Sequence, residues 1–400
     1  MATIVSVTPL PLERDSRTFK FAASFTRLGH RSIVVEGRSS ADLPRDGLPF
    51  ELRSVGVPGA TGEGAGDRPG AGSLGRLAEP PLALAANLRW NLRTLRELPP
   101  ADLYHLHSYN QAGAVRRRAR GAAAPYVYDA HDAYWEAGHE IDADHRARLT
   151  RAMFQRVERR CVSGAALVST VSAGVAGLLE RRFGRSPVVI RNFQDPRLDR
   201  PADGDVRSAA GVGAGAFLLV MVGNAKPGDA VEEAVRALAE LPDRVHLALV
   251  GRGHGRFADS ADRSGVGSRV HILDPVAPDQ VTDFISSADA SPILYRAWTE
   301  NFEHALPNRF SHAVAAGLPV LYPPLTEIRA LCERHGLGLE IDPADPRSIA
   351  GAVRLLADDP GRLAEYGARV RAAQPELSWE AEEGRIEEML AEALDRGAGG

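Results

Sequence analysis

Short apolar runs alternate with amphipathic stretches over the first 190 residues, and after a break the alternation starts again. Thr3 to Thr8 is an apolar run of strand length, while Arg17 to Leu28 spaces its apolar residues as a helix does. Gly29 closes that helix, and Ser32 to Glu36 forms the second strand. Ala101 to His107, Tyr126 to Ala130, Ala166 to Val171 and Val188 to Arg191 read as further strands. Helices are predicted over Arg151 to Arg160 and Ser172 to Phe183. Pro58 to Gly75 is rich in Gly and poor in large apolar residues, which predicts a mobile loop. Strand and helix in alternation build a parallel sheet covered on both faces.

Asn192 to Asp205 is rich in Pro and Asp, lacks periodicity, and marks the expected domain junction. Beyond it, Phe217 to Val222, Val245 to Val250, Val270 to Leu273, Ala290 to Leu294 and Val320 to Tyr322 read as strands, with a helix over Ala230 to Ala239. Leu377 to Leu394 reads as a long amphipathic helix with Trp379 near its start. The fold class is therefore α/β, with two Rossmann-like doubly wound domains over residues 1–192 and 206–376.

Composition narrows the function classes. With 44% apolar residues, 25% charged and a net charge of −4, the chain has the balance of a globular protein and lacks the basic footprint of a nucleic-acid binder. No apolar run approaches the roughly 18 residues of a membrane span, and the N-terminus MATIVSVTPLP has no basic leader region. A cytoplasmic location is the expectation. The two cysteines, Cys161 and Cys332, imply neither a disulfide scaffold nor a Cys-based metal site. Abundant Ala, Arg and Gly with scarce Lys is the usage of a GC-rich genome.

Ligands of open α/β sheets bind beyond the carboxyl ends of the strands. In the second half these ends carry Gly223-Asn224-Ala225-Lys226, Gly251-Arg252-Gly253 and Tyr295. A helix starting at Pro307 would aim free N–H groups and a positive dipole end at whatever precedes it, an arrangement suited to a diphosphate. Lys226 and Arg252 could each neutralise such a group, the bland alternative being solvated loop charges. In the first half the strand ends carry Asp15 and Arg17, then His105 and His107, then Asp129, His131 and Asp132. His107 and His131 directly follow their strands, which predicts that both point into an inter-domain cleft. The three histidines lack the compact spacing of zinc ligands, so no metal site is expected. Arg116 to Arg120 reads as a solvated helix end, with peripheral contact to an acidic membrane as the alternative.

The segment Asn301 to Val320, NFEHALPNRFSHAVAAGLPV, adds a resemblance. It is similar to the donor-site signature of retaining GT-B glycosyltransferases of family 4. One branch of that family has an Asn, then Ala-Leu-Pro-Asn-Lys-x-x-Glu, then Ala-Ala-Gly-Leu-Pro-Val. DSRTFKFAASFTRLGHRSIVV, DLYHLHS, YVYDAHD and VSTVSAGVAGLLERRFG resemble its other landmarks, so the likeness spans nearly the whole chain. Three departures stand out: Arg309 replaces the Lys, His312 replaces the Glu that binds the donor ribose in the family, and Asp229 stands where the branch commonly has Arg.

The resemblance implies two domains facing a central cleft, with helix 377–396 packed back onto the first. It implies a donor site at Gly223, Asn224, Lys226, Arg252, Tyr295, Asn301, Leu306, Pro307, Asn308 and His312. Asp15, Arg17 and His107 would face the acceptor, and His131 would lie close to the transferred sugar as the catalytic residue. The implied activity is transfer of a sugar from a UDP- or GDP-linked donor to a small-molecule hydroxyl, amine or thiol, with retention and without metal or other cofactor. The divergent donor site and the composition point to specialised-metabolite or antibiotic biosynthesis, with glycoconjugate biosynthesis as the alternative. Two other classes stay open: a catalytically inactive GT-B partner of another transferase, and a GT-B sugar-nucleotide epimerase. Oligomeric state is not legible.

Overall fold

A computed structural model describes residues 1–40, 47–56, 80–135, 145–226 and 228–398. The Gly-rich stretch Pro58 to Gly75 lies outside the described residues. The chain divides into two compact units, Met1–Arg191 with Glu382–Gly400, and Asn192–Ala381.

The first unit is built on a seven-stranded parallel sheet. Its strands are β1 (Thr3–Thr8), β2 (Arg31–Glu36), β3 (Glu51–Ser54), β4 (Leu103–His107), β5 (Tyr126–Ala130), β6 (Leu167–Thr170) and β7 (Val188–Val189). They run in the order β3-β2-β1-β4-β5-β6-β7. β4 and β5 are buried along their whole length because helices cover both faces, which is why they read as near-continuous apolar runs. Val5, Ile33, Tyr104 and Tyr128 belong to one core cluster of this unit. The carboxyl ends of β1 and β4 are the point where the strand order reverses, the position at which open α/β sheets hold their ligands.

The second unit repeats the plan with β8 (Phe217–Val222), β9 (Val245–Val250), β10 (Val270–Leu273), β11 (Ser291–Pro292), β12 (Val320–Tyr322) and β13 (Gly338–Glu340). Two three-stranded ladders, β10-β9-β8 and β11-β12-β13, join through a parallel bridge between Leu219 and Ala290. The reversal in strand order therefore falls between β8 and β11. β13 must begin with glycine: a Cβ on Gly338 would stand 1.9 Å from the Val320 carbonyl oxygen.

The last helix, Trp379–Ala398, starts in one unit and continues in the other. Leu377 packs with Phe310 and Val314 in the second unit, and the Trp379 N–H donates to the Gln194 carbonyl at 2.8 Å. From Glu382 onward the helix belongs to the first unit. There Glu383 accepts from Ser24 Oγ at 2.8 Å, and Arg396 donates to the Ala166 carbonyl at 2.7 Å.

Candidate functional site

In the first unit the strand ends converge on one buried carboxylate. Asp129, the fourth residue of β5, is fully buried and accepts a two-pronged bond from Arg17, Nε to Oδ2 at 2.7 Å and Nη2 to Oδ1 at 2.8 Å. Ser169 Oγ donates to Oδ1 at 2.7 Å. His107 Nδ1 and His131 Nε2 lie 3.1 and 3.0 Å from Oδ2 and 3.1 Å from each other. Burial alone would raise the Asp129 carboxyl, but Arg17 and the two imidazoles hold it well below the usual carboxylate range. His131 responds in the opposite sense. Burial lowers its pKa, yet the Asp129 hydrogen bond and charge, with Asp15 beyond, raise it above the ordinary imidazole value. Burial dominates at His107 and pushes its pKa down despite Asp129.

The expected acceptor residues Asp15, Arg17 and His107 are all buried and hydrogen-bonded within this unit. Asp15 caps the helix Ser16–Arg27, taking the Thr18 N–H at 3.1 Å, Thr18 Oγ1 at 2.6 Å and Thr8 Oγ1 at 2.5 Å. Arg17 is buried and also donates to the Ile190 carbonyl at 2.7 Å. His107 is buried as well. Of the four, His131 alone reaches the surface, its side chain 24% exposed. Ser169 and the Ile190 carbonyl went unmarked in the sequence, for neither carries a motif. Ser108, next to His107, has φ 71, a left-handed backbone at a strand end where ligands gather.

Among the described residues, ligand atoms of His105, His107 and Asp129 lie within 4.8 Å of one another. The donor set does not suit a cation. Both Asp129 oxygens are already taken, and a divalent ion would have to displace the Arg17 guanidinium.

In the second unit the expected residues gather at the β8/β11 reversal. Gly223 turns the chain with φ +110, and Gly251 does so at the end of β9 with φ +138. A Cβ on Gly251 would stand 2.6 Å from the Gly223 carbonyl oxygen, so the close approach of the two turns requires glycine. Asn224 Oδ1 accepts the Arg252 N–H at 3.0 Å, while His254 donates through Nε2 to the Gly223 carbonyl at 2.8 Å. Lys226 Nζ meets the Tyr295 hydroxyl at 3.1 Å. Tyr295 also lies under the Arg309 guanidinium, 4.7 Å from its ring centre. Arg309 in turn grips Asp229 through Nη1 to Oδ1 at 3.0 Å and Nη2 to Oδ2 at 3.2 Å.

The helix Asn308–Ala315 begins after Pro307, whose extended backbone makes it the N-cap. Asn301 and Leu306 are buried, Leu306 in a core cluster with Phe310 and Tyr322. Asn308 and His312, one turn apart, both meet the segment that opens this unit. Asn192 Nδ2 donates to Asn308 Oδ1 at 2.8 Å, and Gln194 Nε2 lies 3.1 Å from His312 Nε2. An amide nitrogen only donates, so His312 Nε2 is the acceptor nitrogen of a neutral ring. Asn192, Gln194 and His254 were missed by sequence reasoning, since their role depends on contacts far away in the chain.

Residues 16–192 match the model of a glycosyl transferase 4-like domain, and residues 216–359 match that of glycosyl transferases group 1. The chain belongs to the GT4 family of GT-B glycosyltransferases. It is 30% identical over 205 residues to a D-inositol 3-phosphate glycosyltransferase of Thermobispora bispora, a match covering 48% of this chain and 46% of that one. A D-inositol 3-phosphate glycosyltransferase of Catenulispora acidiphila is 22% identical over 74% of each chain. The chain spans about half the length of the first of these curated relatives. Among solved structures, Anabaena HepE in complex with UDP superposes with a TM-score of 0.71 at 18% identity, covering 98% of this chain and 100% of that one. Sucrose-phosphate synthase of Thermosynechococcus elongatus gives 0.72 at 15%, covering 99% and 100%. At these identities the superpositions carry the GT-B fold and nothing finer. Among the described residues no helix is long and apolar enough to cross a membrane.

Proposed function

We propose that the chain transfers a sugar from a nucleoside diphosphate donor to a small-molecule acceptor, with retention and without a metal. The observation that carries this reading is the strand-end crest of the second unit. Glycine turns, Lys226, Tyr295, Arg309 and the start of the helix Asn308–Ala315 meet at the reversal where doubly wound sheets hold phosphates. Helix dipole and cations would stabilise the departing diphosphate, which is electrostatic catalysis. The first unit would take the acceptor, with His131 as the accessible polar group of its network. Relatives named for D-inositol 3-phosphate support a small polyhydroxylated acceptor, and the composition supports a setting in specialised metabolism in the cytoplasm.

Calorimetric titration with UDP, GDP, ADP and dTDP tests the donor side. One nucleotide should bind, and Lys226→Ala and Arg252→Ala should each weaken it about tenfold, the effect of losing one charged hydrogen bond. Unchanged affinity in both variants would remove the diphosphate from this crest. A second reading, an inactive GT-B partner of another transferase, is favoured by the Asp229–Arg309 pair. It predicts that no nucleotide binds.

A further inference from the structure

The basic side chain best placed for a phosphate on this crest already holds a carboxylate. Arg309 follows the first residue of the helix Asn308–Ala315, stacks over Tyr295, and has Nη2 3.8 Å from where a Cβ on Gly223 would lie. Its guanidinium thus faces the glycine turn. Both nitrogens of its fork are engaged by Asp229, and the two side chains are only 4% and 2% exposed. Asp229 Oδ2 also accepts the Lys226 N–H at 3.0 Å, which ties the carboxylate to the same turn. Carboxylate and phosphate offer a guanidinium the same two-pronged acceptor geometry, so they compete for one fork. Burying an ion pair brings little net stability over an apolar pair of the same volume, so stability alone gives no reason for an Asp here.

We propose that Asp229 is an internal competitor for the donor phosphate: its carboxylate occupies the Arg309 fork, cancels one cationic charge of the crest, and sets a low affinity for the β-phosphate. The proposal rests on the donor reading above and adds its specificity determinant. On this reading Lys226 and Arg252 serve the α-phosphate, so a ligand with one phosphate fewer should lose little in this chain, because the Arg309 charge that would reward the second phosphate is already neutralised.

Calorimetry with UDP and UMP, and with GDP and GMP beside them, provides the test. In the wild type the diphosphate of the recognised base should bind within about threefold of its monophosphate. Asp229→Asn keeps the shape and removes the charge, and should tighten the diphosphate about tenfold while leaving the monophosphate near its starting value, the size expected for one charge-assisted contact. Arg309→Met should abolish the gain when combined with Asp229→Asn. A wild-type preference for the diphosphate above about tenfold overturns the proposal without any variant, so the test survives a failure of Asp229→Asn to fold. So does an Asp229→Asn protein that folds and binds the diphosphate no tighter. Absence of binding by every nucleotide in both proteins overturns the donor reading itself, and the proposal falls with it.

Discussion

Replacing Asp129 by Asn tests whether the first unit is organised around one buried negative charge. The substitution preserves volume, so no cavity opens, but Arg17 loses its counter-ion while remaining 3% exposed. Removing one partner of a buried pair costs about 3–5 kcal/mol. The Asn carbonyl can still accept one bond from the guanidinium, so the lower end, about 3 kcal/mol, is expected. For a unit of this size, that lowers the midpoint by about 6–12 °C. Scanning calorimetry on the full chain would read the shift, and amide exchange in β4 and β5 would assign the transition to this unit.

The pH dependence carries a second check. Asp129 has a depressed folded pKa, so its contribution is complete above about pH 4 and is lost as pH falls through the folded value. His131 has a raised folded pKa, so its contribution is complete below about pH 6.5 and disappears as pH rises through the folded value. Both are in place between about pH 4 and 6.5, and there the penalty of Asp129→Asn should be largest. The variant should also bring the His131 titration, followed by NMR, down toward or below the ordinary imidazole value. A penalty under about 1 kcal/mol, or one that grows from pH 6 to pH 9, would refute the idea that this carboxylate anchors the network.

Three further outcomes follow from the second unit. His312→Glu should bind the donor nucleotide about tenfold tighter than His312→Ala, because a carboxylate accepts two hydroxyl bonds with charge assistance; equal affinities by calorimetry would remove the ribose from this helix face. Gly251→Ala should cost on the order of 1–3 kcal/mol and weaken nucleotide binding, since φ +138 and the 2.6 Å approach to the Gly223 carbonyl leave no place for a Cβ; unchanged denaturant unfolding and affinity would argue against it. Gly338→Ala should destabilise the unit by several kcal/mol through the clash with the Val320 carbonyl, and a thermal midpoint near that of the wild type would show that β13 pairs otherwise.

The buried central strands were legible because parallel sheets covered on both faces leave continuous apolar runs, as in FLLVMV of β8. β3 left no such trace: ELRS is half-buried at a sheet edge, where polar side chains cost nothing. β13 was hidden because its first residue is glycine, a requirement set by the neighbouring strand and invisible locally. The helices Pro346–Ala357 and Pro360–Ala373 also went unread, although Asp345 and Asp359 cap them ahead of a proline. At the sites, strand-end position identified which residues gather but not how they are spent. Asp15 and Arg17 look like ligand contacts in a row of strand ends. Only the partners, Thr8, Thr18, Asp129 and Ile190, show that they hold the framework on which His131 stands.

The same lesson applies with more force to the departures from the family signature. Read singly, Asp229 removes a cation and Arg309 is a mild exchange of one cation for another. They stand eighty residues apart in sequence, and nothing local links them. In the fold they form one buried ion pair, so each explains the other: a carboxylate at 229 needs a partner with a two-pronged fork, which Arg offers and Lys does not. The Arg at 309 is thus the partner of the Asp at 229. Lys226, drawn to the Tyr295 hydroxyl beside this pair, then stands as the neighbouring cation of the crest. On the proposed donor reading, a phosphate arriving here would meet charges that are largely balanced in advance. Its affinity would then depend on how readily Arg309 exchanges one anionic partner for another.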